Sequence, residues 1–349
     1  MARIVMADDG ITFDGKVFET KPLGGVESSF VCLAEALAKR GHDVAVYNKC
    51  QGRIVHNGVE WVPIDTELPY GAMPEQADLY IANRGDRLIP LVPQAKHTVF
   101  WIHNPAQYLL KWRYLWKLWR RRPMIVFIGT YHAGTYPTWA PDGGRMVIPY
   151  GIPEPFRHAE TAPAPPGPRA VFTSNPLRSL DWLLDIWSRG IYPHVPQAEL
   201  HVFAGAAVYG SVGDAKAKQM NDVLERAQSM KQEGVVVRGP APKQQLIEEL
   251  RNSRVMLYRG DLNETFCLAV GEAQAMGVPT VVQSIGSVVE RVVDGVTGFV
   301  AEDDQAFIQA ARDLLTNDQL WLEQHQAALK TQRQWSWDDA AGAFEGILA

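Results

Sequence analysis

Cysteine is scarce in this chain of 349 residues, with Cys32, Cys50 and Cys267 making up the whole set. No pair stands in CxxC spacing, which excludes a zinc ribbon, and three isolated thiols exclude a disulfide framework. Positive charge is also in deficit. Lys and Arg total 34 against 39 Asp and Glu, a formal net charge of −5, so no global basic field draws in nucleic acid and none is expected as a partner. No apolar run approaches the roughly 20 residues of a membrane-spanning helix. The opening MARIVMADDG turns acidic after six residues and lacks the apolar stretch of a signal peptide. The expectation is a cytoplasmic chain.

Apolar residues are plentiful: 46% of the chain is hydrophobic and 21% charged, enough for a large buried core. They fall in short blocks that alternate with helical patterns. RIVMA (3–7) reads as a strand, followed by a long loop through DDGITFDGKVFETKPLGG (8–25). VESSFVCLAEALAKRG (26–41) has helical spacing with Gly41 as its stop signal. HDVAVYN, DLYIANR, HTVFWIH and MIVFIGT follow as buried strands. The stretch 153–169, PEPFRHAETAPAPPGPR, holds six prolines in seventeen residues and reads as an extended, helix-breaking linker. A second series then begins: strands AVFTS, ELHVFAGA, GVVVRG, VMLYRG and VPTVVQS, with helices predicted over 180–189, 214–232, 243–252 and 265–277. Strands alternating with helices specify an α/β fold with parallel sheets. Two such series make either two independent α/β domains or two Rossmann-like domains facing a central cleft.

The segment GDLNETFCLAVGEAQAMGVPT (260–280) places Glu264 before a predicted helix and Glu272 eight positions later, inside it. The helix start near Thr265–Leu268 offers free amides and the positive end of a dipole, a seat for phosphate. At about 1.5 Å rise per residue the two carboxylates would lie about 12 Å apart, the spacing of groups that hold hydroxyls on either side of a diphosphate. The plain alternative is a first-turn acid at Glu264 and an exposed helix charge at Glu272.

The longer run ETFCLAVGEAQAMGVPTVVQSIGSVVERVVDGVTGFV resembles the signature of glycosyltransferase family four, retaining enzymes of GT-B architecture. Glu264, Phe266, Leu268, Glu272, Ala273, Ala275, Gly277, Pro279, Gly286, Glu290, Asp294, Gly295, Thr297 and Gly298 match the family pattern. PLGGVESSFVCLAEALAKRGHDVAVY is similar to the family's first G-G-x-E loop, helix and second strand. VIPYGIPEPF, PQAELHVFAG and QWSWDDAAGAFEGIL are similar to the domain entry, a second-domain strand and the closing helix. The resemblance implies an acceptor domain over 1–152, joined by a closing helix in 333–349, and a nucleotide-sugar-binding domain over 153–332.

Roles follow by position as the resemblance implies them. Glu272 would take the ribose hydroxyls, Glu264 the sugar hydroxyls, and the amides of Thr265, Phe266, Cys267 and Leu268 the diphosphate. Gly24 and Gly25 would let the first loop approach the phosphate or acceptor, and His103 would sit near the sugar; a histidine at a strand end also serves structural roles. Arg238-Gly239 would lie near the base. Two departures stand out. Cys267 occupies the family's glycine after phenylalanine. In FTSNPLRSLDWLL, Arg178 takes the place of the family's lysine while Thr173 replaces its arginine, which brings the segment closer to a subgroup with S-x-P-x-R-G-L. Arg259 is a further candidate cation, with a surface strand-end arginine as the alternative. Catalytic roles fall to Glu264, His103 and Arg178.

The implied activity is a metal-independent, retaining glycosyl transfer (EC 2.4 class) from a nucleoside-diphosphate sugar, UDP or GDP first, to a saccharide or lipid-linked saccharide in cell-surface polysaccharide synthesis. No cofactor is implied. No D-x-D closes a strand, and Asp8-Asp9 reads as a structural or acceptor-side pair. An epimerase of the same architecture and a non-catalytic sugar-nucleotide-binding module remain as alternatives. QYLLKWRYLWKLWRRRP (107–123) carries three tryptophans, two tyrosines and six Lys/Arg. It reads as an amphipathic helix with core aromatics, as a peripheral contact with the inner face of a membrane, or as a platform that stacks sugars or bases.

Overall fold

The computed structural model describes residues 1–20, 23–64, 73–205 and 210–349. They form two compact units, one of Met1–Thr20, Gly25–Gly151 and Ser336–Ala349, the other holding Ile152–Trp335.

In the first unit the strands are β1 (Arg3–Asp8), β2 (Asp43–Asn48), β3 (Ile54–His56), β4 (Val59–Pro63), β5 (Leu79–Asn83), β6 (His97–Trp101), β7 (Met124–Phe127) and β8 (Arg145–Val147). They make one sheet in the order β3-β4-β2-β1-β5-β6-β7-β8. All neighbours are parallel except β3 and β4, whose hairpin turns on Asn57 and Gly58, both at positive φ. β1 pairs β2 on one side and β5 on the other, so the chain reverses its direction of travel across the sheet there. Ile4, Val5, Met6 and Ala7 are fully buried, as a central parallel strand covered on both faces requires. The helices are α1 (Gly15–Thr20), α2 (Gly25–Lys39), α3 (Trp112–Arg121) and α4 (Thr130–Gly134).

The second unit adds α5 (Glu154–His158), α6 (Leu180–Ile186), α7 (Gly210–Ser229), α8 (Lys243–Arg251), α9 (Leu268–Ala275), α10 (Asp304–Thr316) and α11 (Asp318–Gln332). Its strands are β9 (Arg169–Phe172), β10 (Glu199–Val202), β11 (Val235–Val237), β12 (Val255–Leu257), β13 (Thr280–Gln283) and β14 (Gly298–Ala301). Their order is β11-β10-β9-β12-β13-β14, parallel throughout. The reversal falls between β9 and β12. The last helix, α12 (Trp337–Glu345), belongs to the first unit. It starts on a capping box between Ser336 and Asp339 and is tied to the end of α2 by Arg40, which donates to Glu345 (2.8 Å) and Asp338 (3.0 Å).

Five sequence expectations change. The loop over 8–25 contains α1, started by the Asp14 side chain accepting from the Val17 amide at 2.9 Å; residues 21–22 lie outside the described ones. The proline-rich 153–169 is not extended throughout, because Pro155 sits in the first turn of α5, where its missing N–H costs nothing. The helix predicted over 180–189 is α-helical to Ile186 and then widens into a π-turn over Trp187–Ile191. The helix expected from Thr265 begins at Leu268, so the 12 Å helical-rise spacing does not apply. The predicted strand ELHVFAGA ends at Val202, and its Ala206 lies outside the described residues.

Candidate functional site

In open parallel sheets, ligands bind at the carboxyl ends of strands where the strand order reverses. In the second unit that point is the pair β9 and β12, and the loops leaving these two strands interlock. After β9, the Asn175 side chain accepts from the Leu177 amide (2.9 Å), and the chain reaches Ser179 at φ +65. Ser179 Oγ donates to the Gly260 carbonyl in the loop after β12 (3.1 Å). That bond sets Arg178 beside Glu264, with which it forms an ion pair.

Glu264 is 8% exposed and its carboxylate is held from three sides. Arg178 donates to Oε2, Tyr258 Oη donates to the same oxygen at 3.0 Å, and the Cys267 amide donates to Oε1 at 3.1 Å. Its backbone is pinned too: the Glu264 amide donates to Asp261 O (2.9 Å) and the Ser287 amide to Glu264 O (3.1 Å). Burial and then the Glu264 charge push the Tyr258 hydroxyl well above its ordinary range, so it remains a donor. The same two causes push the Cys267 thiol up, leaving it protonated and unreactive.

Cys267 is the residue before α9 and lies at φ +62, a left-handed conformation that glycine adopts without strain. Ser179 stands at the equivalent glycine of the S-x-P-x-R-G-L pattern and is left-handed as well. Both departures from glycine fall where the backbone demands it. The turn needs Cys267's conformation, because it sends the chain from the Glu264 loop into α9 with the first-turn amides unpaired within the helix.

Glu272 is 3% exposed, which overturns the exposed-helix-charge alternative. It is paired with Lys243 at the first position of α8, whose ammonium also lies 5.5 Å from the Phe156 ring centroid. The sequence reading missed Lys243. The signal was there: a cation in the first turn of a helix opposes the dipole, so a partner elsewhere was to be expected. Arg291 was missed as well. Its guanidinium stacks on Phe266 at 4.4 Å, and burial lowers its basicity. Thr265, Phe266 and Leu268 are buried beside it.

Arg259 donates from Nε to Gln283 at 2.8 Å and lays its guanidinium over Trp182 at 4.8 Å. Arg238 and Gly239 (φ +75) follow β11, where the Arg238 amide continues the ladder to Val202 (2.9 Å).

The first unit gathers a second buried polar cluster at the reversal beside β1. His103, two residues past β6, bonds Tyr150 Oη through Nδ1 and Asn83 Oδ1 through Nε2. Asn83 Nδ2 donates to Asp8 (2.6 Å), so its Oδ1 is the acceptor. His103 therefore donates from Nε2 and accepts at Nδ1, the neutral tautomer. Burial, then the nearby Arg84, holds its pKa well below the ordinary value. Asp8 is fully buried and paired with Arg84 (3.1 Å), which also reaches Glu27 on α2 (2.8 Å). Burial opposes the Arg84 charge, but Asp8 and Glu27 more than offset it and keep it protonated. Asp8 is thus an ion-pair partner; Asp9 is partly buried, with burial and Asp8 raising its pKa. Gly25 opens α2, and a Cβ added there meets nothing within 4 Å, so packing does not require glycine. Gly24 precedes it in the loop.

In 107–123, Tyr114 and Leu118 are buried, but Trp112, Trp116 and Trp119 are exposed, which corrects the core-aromatic reading for the tryptophans. No helix among the described residues is long and apolar enough to cross a membrane.

The model of "Glycosyl transferases group 1" matches residues 168–317. A D-inositol 3-phosphate glycosyltransferase of Streptomyces avermitilis is 33% identical over 112 residues, 32% of this chain and 24% of that protein. One from Corynebacterium aurimucosum is 32% identical over 112 residues, 32% of this chain and 26% of its own length. The chain thus spans about a quarter of the curated relatives it matches. Among solved structures, the Anabaena protein Alr3699/HepE in complex with UDP-glucose superposes with a TM-score of 0.74 at 16% identity, covering 100% of this chain and 99% of that one. Sucrose-phosphate synthase of Thermosynechococcus elongatus gives 0.72 at 14% identity, covering 99% and 97%. By fold the chain is a GT-B protein of two Rossmann-like units, and over 168–317 its sequence matches the glycosyl transferases of group 1.

Proposed function

We propose that this chain transfers a sugar, with retention at the anomeric carbon, from a nucleoside-diphosphate sugar to a saccharide or lipid-linked saccharide. The observation that carries the reading is the pair of buried carboxylates at the β9/β12 reversal, each held by its own cation: Glu264 by Arg178 and Glu272 by Lys243. Burying a carboxylate is costly unless it is paired, and two of them flanking the amide-rich start of one helix suit a ligand with hydroxyls on both sides of a diphosphate.

In this reading Glu272 accepts from the ribose hydroxyls and the amides of Thr265 to Leu268 hold the diphosphate. Arg178 turns from Glu264 to the leaving phosphate, where negative charge develops, and preorganised donors there supply most of the rate. Glu264, released, accepts from hydroxyls of the sugar. The acceptor hydroxyl attacks on the face the diphosphate leaves, its proton passing to a phosphate oxygen, so no protein carboxylate becomes a nucleophile and no metal is required. The first unit carries the acceptor, with neutral His103 and Gly25 on that side and Gly24 leading into Gly25. The Anabaena protein of the same fold holds UDP-glucose, which makes UDP the first nucleotide to test, ahead of GDP.

The test is a thermal-shift panel of UDP, GDP, ADP and CMP with their sugar conjugates, on wild type and Glu272→Ala. A ligand that binds only the folded state raises the midpoint by mass action. One diphosphate should shift wild type and leave the variant in place. A folded wild type that shifts with none of them refutes the donor site, and sugar rearrangement without acceptor would favour an epimerase.

A further inference from the structure

We propose that α3 docks the first unit on an anionic lipid bilayer through a stripe of three tryptophans. Trp112, Trp116 and Trp119 are 75%, 47% and 61% exposed. Their spacing of four and three residues places them on one helical face. There they stack in series, with centroids 6.3 Å apart from Trp112 to Trp116 and 5.5 Å from Trp116 to Trp119. Large apolar side chains gathered on a surface mark a contact site, and this face runs the full length of the helix.

Charge complementarity selects the occupant. The segment 107–123 has six Lys/Arg and no acid in a chain whose net charge is −5. Asp86 binds Lys117 and also pairs with Arg113 at 3.6 Å; Lys111, Arg113, Arg120, Arg121 and Arg122 are exposed. A fourth exposed tryptophan, Trp139 at 70%, lies on the loop that the α3 C-cap residue Arg122 holds through the Asp142 carbonyl (3.1 Å). Indole rings bordered by cations match the boundary between acyl chains and anionic headgroups, where tryptophan partitions and each cation near the surface adds attraction. A platform for neutral sugars would need the rings but not five exposed cations.

The buried face of the same helix reaches the first unit's polar cluster. Tyr114 Oη donates to the Arg84 carbonyl (3.4 Å) and Lys117 pairs with Asp86. Arg84 is the residue that clamps Asp8 and Glu27, and it follows Asn83, the partner of His103. A membrane under α3 therefore lies one helix thickness, about 10 Å, from the cluster that takes the acceptor. Resting on the transferase reading above, this commits the acceptor to a membrane-borne saccharide.

Co-sedimentation with phosphatidylcholine vesicles, with and without about one third phosphatidylglycerol, tests the docking with neither donor nor acceptor present, so its failure leaves the donor-site reading standing. Wild type should pellet with the anionic vesicles, stay in solution with the neutral ones, and be released as salt screens the cations. The triple variant Trp112→Ala, Trp116→Ala, Trp119→Ala should partition about tenfold more weakly or less still, and Arg113→Glu with Arg120→Glu should abolish the preference for anionic lipid; circular dichroism confirms that both fold. Folded wild type that stays in solution with anionic vesicles, a triple variant that pellets like wild type, or tryptophan emission that responds to a soluble oligosaccharide or RNA and not to vesicles overturns the proposal.

Discussion

Protonation of His132 should loosen the first unit from within. His132 is fully buried on α4. Its Nδ1 accepts from the Ile128 amide at 3.2 Å and its Nε2 donates to the Asn104 carbonyl at 2.8 Å. A second proton on Nδ1 would face the Ile128 N–H, donor against donor, in a site that already disfavours charge. Burial accordingly lowers the pKa from 6.5 to about 4. Below pH 6.5 the unfolded chain binds a proton that the folded chain refuses, so stability is whole above pH 6.5 and drains away as the pH falls towards 4. Going from pH 7 to pH 5 costs about 2 kcal/mol at this ring alone, and His103, lowered for the same first cause, adds to it. Asn104 follows His103, so the loosening reaches the buried cluster of His103, Asn83 and Tyr150 directly. The assay compares urea unfolding of wild type and His132→Gln at pH 7 and pH 5. Glutamine keeps an acceptor and a donor but cannot titrate. The variant starts less stable, yet should lose about 2 kcal/mol less than wild type across the same interval. Equal losses in the two proteins would refute the tautomer and the burial argument together.

Other outcomes follow from the second unit. Glu272→Ala should weaken nucleotide binding by about 10- to 100-fold, the worth of hydrogen bonds to a charged acceptor, with Lys243→Met a smaller change in the same direction; calorimetric titration reads both. Glu264→Gln should lower kcat far more than nucleotide affinity, and a pure affinity effect would remove Glu264 from the sugar side. Gly286 is at φ +70, and a Cβ there would run into the Asp261 carbonyl, so Gly286→Ala should destabilise by about 2–4 kcal/mol in thermal or urea melts. Cys267→Gly should be more stable than Cys267→Ala by about 1 kcal/mol, because alanine keeps the left-handed strain and glycine removes it; the reverse order would show that the conformation costs nothing here.

What was legible in the sequence was whatever a residue's own neighbours in the chain dictate. Blocks such as RIVMA and VMLYRG can only be strands buried on both faces, and the alternation with helices forces parallel sheets; β1 and β12 duly lie at the centres of theirs. Glu264 and Glu272 stood out because their spacing is fixed along one segment. Of the cations that hold them, Arg178 was reached only through the family resemblance and Lys243 not at all, because the two arrive from 86 and 29 residues away, a closure that only the strand order sets. The start of α9 was misplaced for a related reason. Thr265 and Phe266 have the composition of a first turn, but the Glu264 side chain captures the Cys267 amide and holds that residue left-handed, so α9 waits until Leu268. For the three tryptophans the spacing left core, membrane and stacking roles open. Their spacing made a stripe, and a stripe normally faces a core; here Tyr114 and Leu118 take the inner face of α3, and the stripe that is richest in ring area is left to whatever lies outside the protein. Periodicity says that a helix has two faces. Which of them turns inward is decided by the neighbours it meets, and a face the protein leaves uncovered is the place to look for a partner.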